Sequence, residues 1–125
     1  MFTAVPPDAL HSVWPGLRSM LRVLQRKGGG DWIPEDVYRE IAEGRAALFI
    51  AERSLLVLIA QKETFTGLPV LHVWLAYTAA KNFDAGLQWV REHAKQYGFQ
   101  KITFDSPRKG WAKRFTAESV RYRID

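Results

Sequence analysis

A small set of side chains in this sequence is of the types that exchange protons with a bound molecule. His72 is the leading candidate for a general base, because an imidazole titrates near neutral pH and most often takes this role. Glu52 and Glu63 flank a predicted hairpin and are the carboxylate alternatives, which would act through water. Tyr122 is the candidate acid. Each also has a structural interpretation: a buried histidine bound to a neighbour, exposed surface carboxylates, and a surface or edge tyrosine.

Residue type and spacing disfavour several other chemistries. The chain has no cysteine, which removes disulfides, thiol nucleophiles and thiolate metal sites. Its histidines lack the close spacing and carboxylate partners of a metal site, and His93 is predicted to pack along a helix. Ser106 lacks the G-x-S-x-G context of an activated serine, and the glycines at 28–30 are not followed by the Lys-Ser/Thr of a phosphate loop. No metal is therefore expected.

The charge of the chain favours anionic partners. Eighteen Lys and Arg residues against 13 Asp and Glu give a net charge of +5. Arg18, Arg22 and Arg26 recur on one flank of the first predicted helix. The last 25 residues hold seven basic and three acidic side chains, a net charge of +4.

Aromatic residues alternate with the cations near the carboxyl terminus, as they do on base-stacking surfaces. Two other interpretations stay open. The aromatics could be core residues beside a solvated cationic face, or Arg108, Lys109 and Lys113 could contact a nucleotide or cofactor phosphate. The candidate surface for a protein or nucleic-acid partner comprises Arg108, Lys109, Trp111, Arg114 and Arg121.

Hydrophobic periodicity predicts the elements that must position these residues. Pro15 lies inside the first helical pattern, so that helix either kinks there or begins late. On the third predicted strand, alternation places His72, Trp74 and Ala76 on one face, and Val73 and Leu75 on the other. In chain order the predicted elements are a candidate strand over residues 2–5, helices over 10–24 and 34–44, strands over 46–52, 54–61 and 69–78, a helix over 83–97, a strand over 101–105, a short helix over 110–116 and a last strand over 119–123.

Composition and length favour one folded α+β domain over residues 1–125. Hydrophobic residues make up 47% and charged residues 25% of the 125, the balance of a globular chain. The longest apolar runs, 46–51 and 55–60, are far shorter than the ~20 residues of a transmembrane helix. The first residues lack the basic and apolar regions of a secretory signal. We therefore expect a cytosolic protein, or one released by another route.

The order of elements resembles that of the GNAT acetyltransferase superfamily over most of the chain. Residues 36–44 lead into the strand Ala47-Leu48-Phe49-Ile50 as in that family, and residues 110–115 look like its short helix before the last strands. Small GNAT-like proteins of tailed phages have a similar outline. The resemblance implies a central, mostly antiparallel mixed sheet flanked by helices. It also implies transfer of an acetyl group from acetyl-CoA to an amine, with His72 or Glu52 as base and Tyr122 as acid.

The resemblance also implies where acetyl-CoA would bind. The backbone of Trp74, Leu75 and Ala76 would lie beside the thioester, and the pyrophosphate would lie at the start of the central helix near Lys81 and Asn82.

The sequence departs from the family at this phosphate-binding loop. The family loop has the form Q/R-x-x-G-x-G/A, in which backbone amides and the helix dipole hold the pyrophosphate. Here residues 77–87 contain only Gly86, and Asp84 would place a carboxylate near the phosphates, with Lys81 as one compensating charge. An anion facing phosphate at contact distance repels it by ~1 kcal/mol in water and by more in a drier site. The loop is therefore predicted to be degenerate.

Two functions follow as hypotheses. The first is an acetyl-CoA-dependent N-acetyltransferase with a weakened phosphate loop. The second is a non-catalytic, phage-associated structural or interaction protein, present in the host cytoplasm or the virion, that binds a protein or nucleic acid through its basic, aromatic C-terminal surface.

Overall fold

The computed structural model describes residues 2–28, 31–78, 83–105, 116–118 and 121–124, without the side chains of residues 116–118 and 121. Within these ranges it contains a mixed α+β arrangement, which confirms the predicted fold class. The helices are α1 (Leu10–Gly28), α2 (Pro34–Ala42) and α3 (Phe83–Gln96), and the strands are β1 (Thr3–Val5), β2 (Ala47–Ala51), β3 (Ser54–Lys62), β4 (Pro69–Tyr77), β5 (Lys101–Asp105), β6 (Thr116–Glu118) and β7 (Arg121–Ile124).

The described strands form one sheet in the order β1-β2-β3-β4-β5-β7-β6. Neighbouring strands are antiparallel, except that β4 and β5 run parallel. This pair is parallel because α3 carries the chain back across the sheet between them. The predicted strand at the amino terminus and the tight β2–β3 hairpin are both confirmed.

The helices begin and end where local signals place them. α1 continues through Pro15 and begins at Leu10, after a 3-10 turn over Pro7–Ala9. Pro34 occupies the first turn of α2, where its missing N–H is not needed, and the backbone N–H of Ile33 donates to the Asp36 carboxylate at 2.9 Å. Gly98 follows α3 with a φ of 78°, a conformation that glycine adopts without steric cost.

The sheet has two faces with separate cores. The α1/α2 face packs residues of β2, β3 and β4 against Leu17 and Leu21 of α1 and Ile41 of α2. The α3 face packs the same strands, together with β5 and β7, against Leu87 and Val90 of α3. None of the helices in the described part of the chain is both long and apolar enough to cross a membrane.

The end of the chain differs from the sequence prediction. Residues 110–115 of the predicted short helix lie outside the described residues, but Thr116 begins the strand β6 and so is not helical. The last strand extends to Ile124, and β6 pairs antiparallel with it, Thr116 opposite Arg123. A three-residue strand is too short to show the alternation by which strands are recognised, so β6 could not be predicted from its residues.

The alternation predicted for the third strand holds as far as Trp74, which packs against the α1/α2 core, and is wrong beyond it. Val73 pairs with Leu58, but Leu75 pairs with Val57, so Trp74 is an extra residue that forms a β-bulge. One inserted residue exchanges the faces of all that follow it. Leu75 therefore joins the α1/α2 core, the face to which His72 also belongs, and Ala76 moves to the opposite face.

A row of aromatic rings runs along the flank of α3 nearest β2. The His93 ring stacks on Trp89 with centroids 4.8 Å apart, and Tyr97 lies 4.6 Å away on its other side. Phe49 of β2 closes the row at 5.1 Å from His93. Burial among these rings lowers the pKa of His93 from its ordinary value. His93 packs along the helix, as the sequence predicts.

Folding lowers the pKa of His93. As the pH falls below 6.5, the imidazole of His93 is therefore protonated in the unfolded chain before it is protonated in the folded chain. The His93 contribution to stability is thus complete above that pH and decreases with acidification. We expect His93→Phe, which keeps a ring in the row, to lose less unfolding free energy than the native chain between about pH 7.5 and about pH 5, as measured by urea denaturation. Parallel stability curves for the two chains would contradict the assignment.

Candidate active site

The sheet opens between its two parallel strands. Among the described residues, pairing between β4 and β5 runs from Val70 opposite Lys101 to Val73 opposite Phe104 and no further, although β4 continues to Tyr77. The bulge at Trp74 lies at this point of divergence. Ligands of α/β sheets bind outside the carboxyl ends of parallel strands, where chains leave in different directions. The opening is therefore the candidate active site.

The predicted cofactor residues of β4 lie along this opening. Trp74 is half-buried, Leu75 is buried and Ala76 is exposed. In the described part of the chain, β5 does not pair with these residues, and an unpaired strand edge is where the amide groups of an extended ligand can bind. The other two predicted cofactor residues, Lys81 and Asn82, lie outside the described residues.

His72 lies just before the opening and joins β4 to β5. The residue is only 5% exposed, and Nδ1 lies 2.8 Å from the Thr103 hydroxyl, which is itself buried. Nε2 lies 3.5 Å from Oδ2 of Asp105, whose side chain is 46% exposed at the end of β5. His72 thus connects a buried hydroxyl on one side to a solvent-facing carboxylate on the other.

The hydrogen-bonding groups around His72 favour one tautomer. An ionised carboxylate can only accept a hydrogen bond, so Asp105 favours a hydrogen on Nε2. Nδ1 then carries the lone pair and accepts from the Thr103 hydroxyl. In this arrangement a proton that arrives at the Thr103 oxygen can pass to His72, and Asp105 stabilises the imidazolium that forms.

Tyr122 lies on the other face of the sheet. It pairs with Phe104 across β5 and β7, stacks on that ring with centroids 5.3 Å apart, and is 3% exposed in the α3 core. Thr103, next to Phe104, points to the opposite face with His72. The structure therefore gives Tyr122 a packing contact and does not bring it to the side of the sheet that holds His72. Its role as the acid stays a prediction.

The two candidate carboxylates lie at opposite ends of the sheet. Glu52 is exposed in the β2–β3 hairpin, at the end where β4 finishes, because Leu55 pairs with Tyr77. Glu63 follows β3 at the other end, where it accepts from Thr66 Oγ1 at 2.8 Å and from Lys101 Nζ at 3.1 Å.

These contacts disfavour Glu63 as a base, a role that stays a prediction. The hydrogen bond from Thr66 and then that from Lys101 lower the pKa of Glu63, whereas a raised pKa would make a carboxylate a better water-mediated base. Glu63 is instead a partner in an ion pair that joins the start of β5 to the β3–β4 turn. Glu52 remains the carboxylate alternative to His72, as predicted from the sequence.

The start of α3 is where the sequence departs from the phosphate-binding loop of the GNAT family. Asp84 is exposed in the first turn of the helix. Gly86 is buried, and a Cβ at that position would lie 3.6 Å from Thr78, so its absence of a side chain does not open a cradle for an anion. Residues 79–82, where the phosphate-binding amides would lie, are outside the described residues.

The candidate partner surface is not described. Arg108, Lys109, Trp111 and Arg114 lie outside the described residues, and only the backbone of Arg121 is described, opposite Asp105 in the β5–β7 ladder. Among the residues that are described, no group of three or more His, Asp and Glu side chains lies close enough to hold a metal ion.

Comparisons with solved structures identify the fold. No known family profile matches the sequence. No curated protein matches it at a significant level either. A probable acetyltransferase superposes with a TM-score of 0.66 at 13% identity, over 91% of this chain and 84% of the other. The ribosomal-protein-alanine N-acetyltransferase of Brucella melitensis biovar Abortus 2308 gives 0.62 at 14% identity, over 91% and 86%.

A GNAT-family acetyltransferase of Listeria monocytogenes 4b F2365 gives a TM-score of 0.59 at 11% identity, over 98% of this chain and 91% of the other. This protein therefore has the fold of the GNAT acetyltransferases, as the order of its elements predicts.

Sequence reasoning missed Thr103 and Asp105. Both lie on the predicted strand 101–105, and their spacing of two residues places them on one face. What the sequence does not contain is the register of the parallel pair, which sets Thr103 directly opposite His72.

The Thr103 hydroxyl is expected to fix the His72 tautomer. Thr103→Val keeps the shape of the side chain but leaves Nδ1 without this donor, so we expect a loss of about 1–3 kcal/mol of unfolding free energy. Imidazole ¹⁵N spectra should show a hydrogen-bonded, unprotonated Nδ1 in the native chain and a changed Nδ1 signal in the variant. Thr103→Ser retains the hydroxyl and is the control. A protonated Nδ1 in the native chain would contradict the assignment.

Proposed function

We propose that this protein is an N-acetyltransferase that uses the opening between β4 and β5 to transfer an acetyl group from acetyl-CoA to an amine. The observation that supports this most strongly is the position of His72, buried at the point where the parallel strands diverge and joined to Thr103 and Asp105. The amine as acceptor class is consistent with the ribosomal-protein-alanine N-acetyltransferase among its structural neighbours.

The described residues fit the acyl end of acetyl-CoA, because the edge of β4 beyond Val73 offers backbone donors and acceptors. Trp74, Leu75 and Ala76 would hold this end, and acetyl-CoA supplies an activated acyl group there. The carboxylate of Asp84 at the start of α3 disfavours the phosphate end. The proposal therefore includes weak binding of the cofactor, with the degenerate loop as its cause.

The residues of the chain would move the proton of the acceptor. An amine must be neutral to attack a carbonyl, so a proton has to leave its nitrogen. The Thr103 oxygen would receive this proton and give its own to Nδ1 of His72, which then holds a hydrogen on each ring nitrogen. Asp105 would stabilise the resulting imidazolium from the Nε2 side.

Binding and catalysis can be separated at His72. We expect saturable acetyl-CoA binding with a submillimolar dissociation constant in calorimetry, unchanged within about twofold by His72→Gln. Acetylation of a panel of primary amines should fall by roughly 10²–10⁴ in the same variant, since that is the usual contribution of a general base. His11→Gln, an exposed histidine on α1, is the control. Full activity in His72→Gln would remove His72 from the mechanism, with Glu52 as the remaining base.

The alternative function is that of a non-catalytic structural or interaction protein. Two features favour it: Asp84 in the first turn of α3, and the lack of the family glycines before it. In this alternative the basic, aromatic C-terminal residues would bind a protein or nucleic-acid partner, and the protein would belong to a tailed phage. The absence of any heat with millimolar acetyl-CoA would favour this function over the first.

Asp84 provides a direct test of the weakened phosphate site. If its carboxylate repels the pyrophosphate, Asp84→Asn should tighten acetyl-CoA binding by about three- to tenfold, which corresponds to about 0.7–1.4 kcal/mol. Asp8→Asn, an exposed carboxylate in the turn before α1, makes the same charge change elsewhere and is the control. Equal affinities in the native chain and Asp84→Asn would show that this carboxylate does not face the phosphates.

A further inference from the structure

A cavity of about 500 Å³ lies beside His72 on the α1/α2 face of the sheet. Its walls come from the end of β3 and the following turn, from the start of β4 and from β5. Thr103, which lines it, is the residue that bonds to His72 Nδ1 at 2.8 Å. Thr103 therefore both lines the cavity and bonds to the proposed base.

The charges around the cavity are mainly positive. Lys62 and Lys101 line it, and Arg123 pairs with Thr103 from the β7 side and acts electrostatically on Glu63. The opposing carboxylate among the lining residues is Glu63, which is already bound by Lys101 and Thr66. Within the described residues, no ion pair holds Lys62 or Arg123.

The distance between Lys101 and Thr103 along β5 sets the size of a ligand that would contact both residues. Lys101 and Thr103 are two residues apart on the strand, which corresponds to about 7 Å. An extended dipeptide spans a similar length, about 7 Å. A molecule of that size would place its amine at Thr103 and a carboxylate near Lys101 and Lys62.

We propose that this cavity is the acceptor site, and that the acceptor is a primary amine carrying a carboxylate about one dipeptide length from its nitrogen. This inference rests on the proposed acetyl transfer for the role of the amine, but the binding of the carboxylate depends only on the cationic rim. The amine would lie against the Thr103 hydroxyl, and Lys62 and Arg123 would recognise the anion. Glu63 would keep Lys101 in place at the floor of the cavity.

The test compares glycylglycine with glycylglycinamide, which differ only in the carboxylate. Each is titrated into the ¹⁵N-labelled chain without acetyl-CoA, and the amide signals of Thr103, Val70 and Gln61 report on the cavity. We expect glycylglycine to bind at least about fivefold more tightly than the amide, as expected for partly exposed ion pairs. Lys62→Gln/Arg123→Gln should abolish this preference.

Arg22→Gln/Arg26→Gln removes the same charge from exposed positions on α1 and is the matched control, in which the preference should persist. Equal binding of acid and amide, no saturable binding of either, or an equal loss in the control would overturn the proposal. Because acetyl-CoA is absent from these titrations, such a result is independent of whether the chain transfers an acetyl group, which the calorimetric and activity measurements decide separately.

Discussion

The extra residue in β4 at Trp74 is the constraint on which the arrangement of the site depends. A strand with one residue more than its neighbour must bend and exchange its faces. Here that happens where β4 separates from β5, since pairing between the two stops at Val73 and Phe104. The strand thereby keeps its ladder with β3 as far as Tyr77, beyond the last described pair with β5. A continuous β4–β5 ladder would close the sheet at this end and leave no opening for a ligand.

The bond between His72 and Thr103 lies at the last part of the sheet where β4 and β5 are still paired. A buried imidazole and a buried hydroxyl each cost free energy unless they are hydrogen-bonded, and at 2.8 Å each satisfies the other. The same contact places Asp105 at the solvent edge, close to Nε2. The pair of side chains that stabilises the junction of the two strands is thus also arranged to accept a proton. The Thr103 hydroxyl at one end of this series of polar groups is buried, and the Asp105 carboxylate at the other end faces water.

The two faces of the sheet differ in what they carry. The α3 face is an apolar core into which Tyr122 and Phe104 stack beneath the helix. On the opposite face, the half of the sheet formed by β4, β5 and β7 carries His72, Thr103 and Asp105, with the Glu63–Lys101 ion pair at its far end. Polar chemistry is concentrated on one side of one half of the sheet. This separation explains why Tyr122, a reactive residue type by sequence, has the environment of a packing residue.

The amino-acid sequence by itself determined the elements whose signals are local. The apolar periodicity of α1 and α3, Pro34 at the start of α2, the β2–β3 hairpin and the strand over Lys101–Asp105 each depend on neighbours a few residues away, and their order was enough to predict the GNAT-like fold. His72 could be selected by residue type. The tertiary structure alone decided its partners, because the parallel register of β4 and β5 joins residues 31 positions apart. It also decided which residues share its face, because a single bulge inverts an alternation whose period is two.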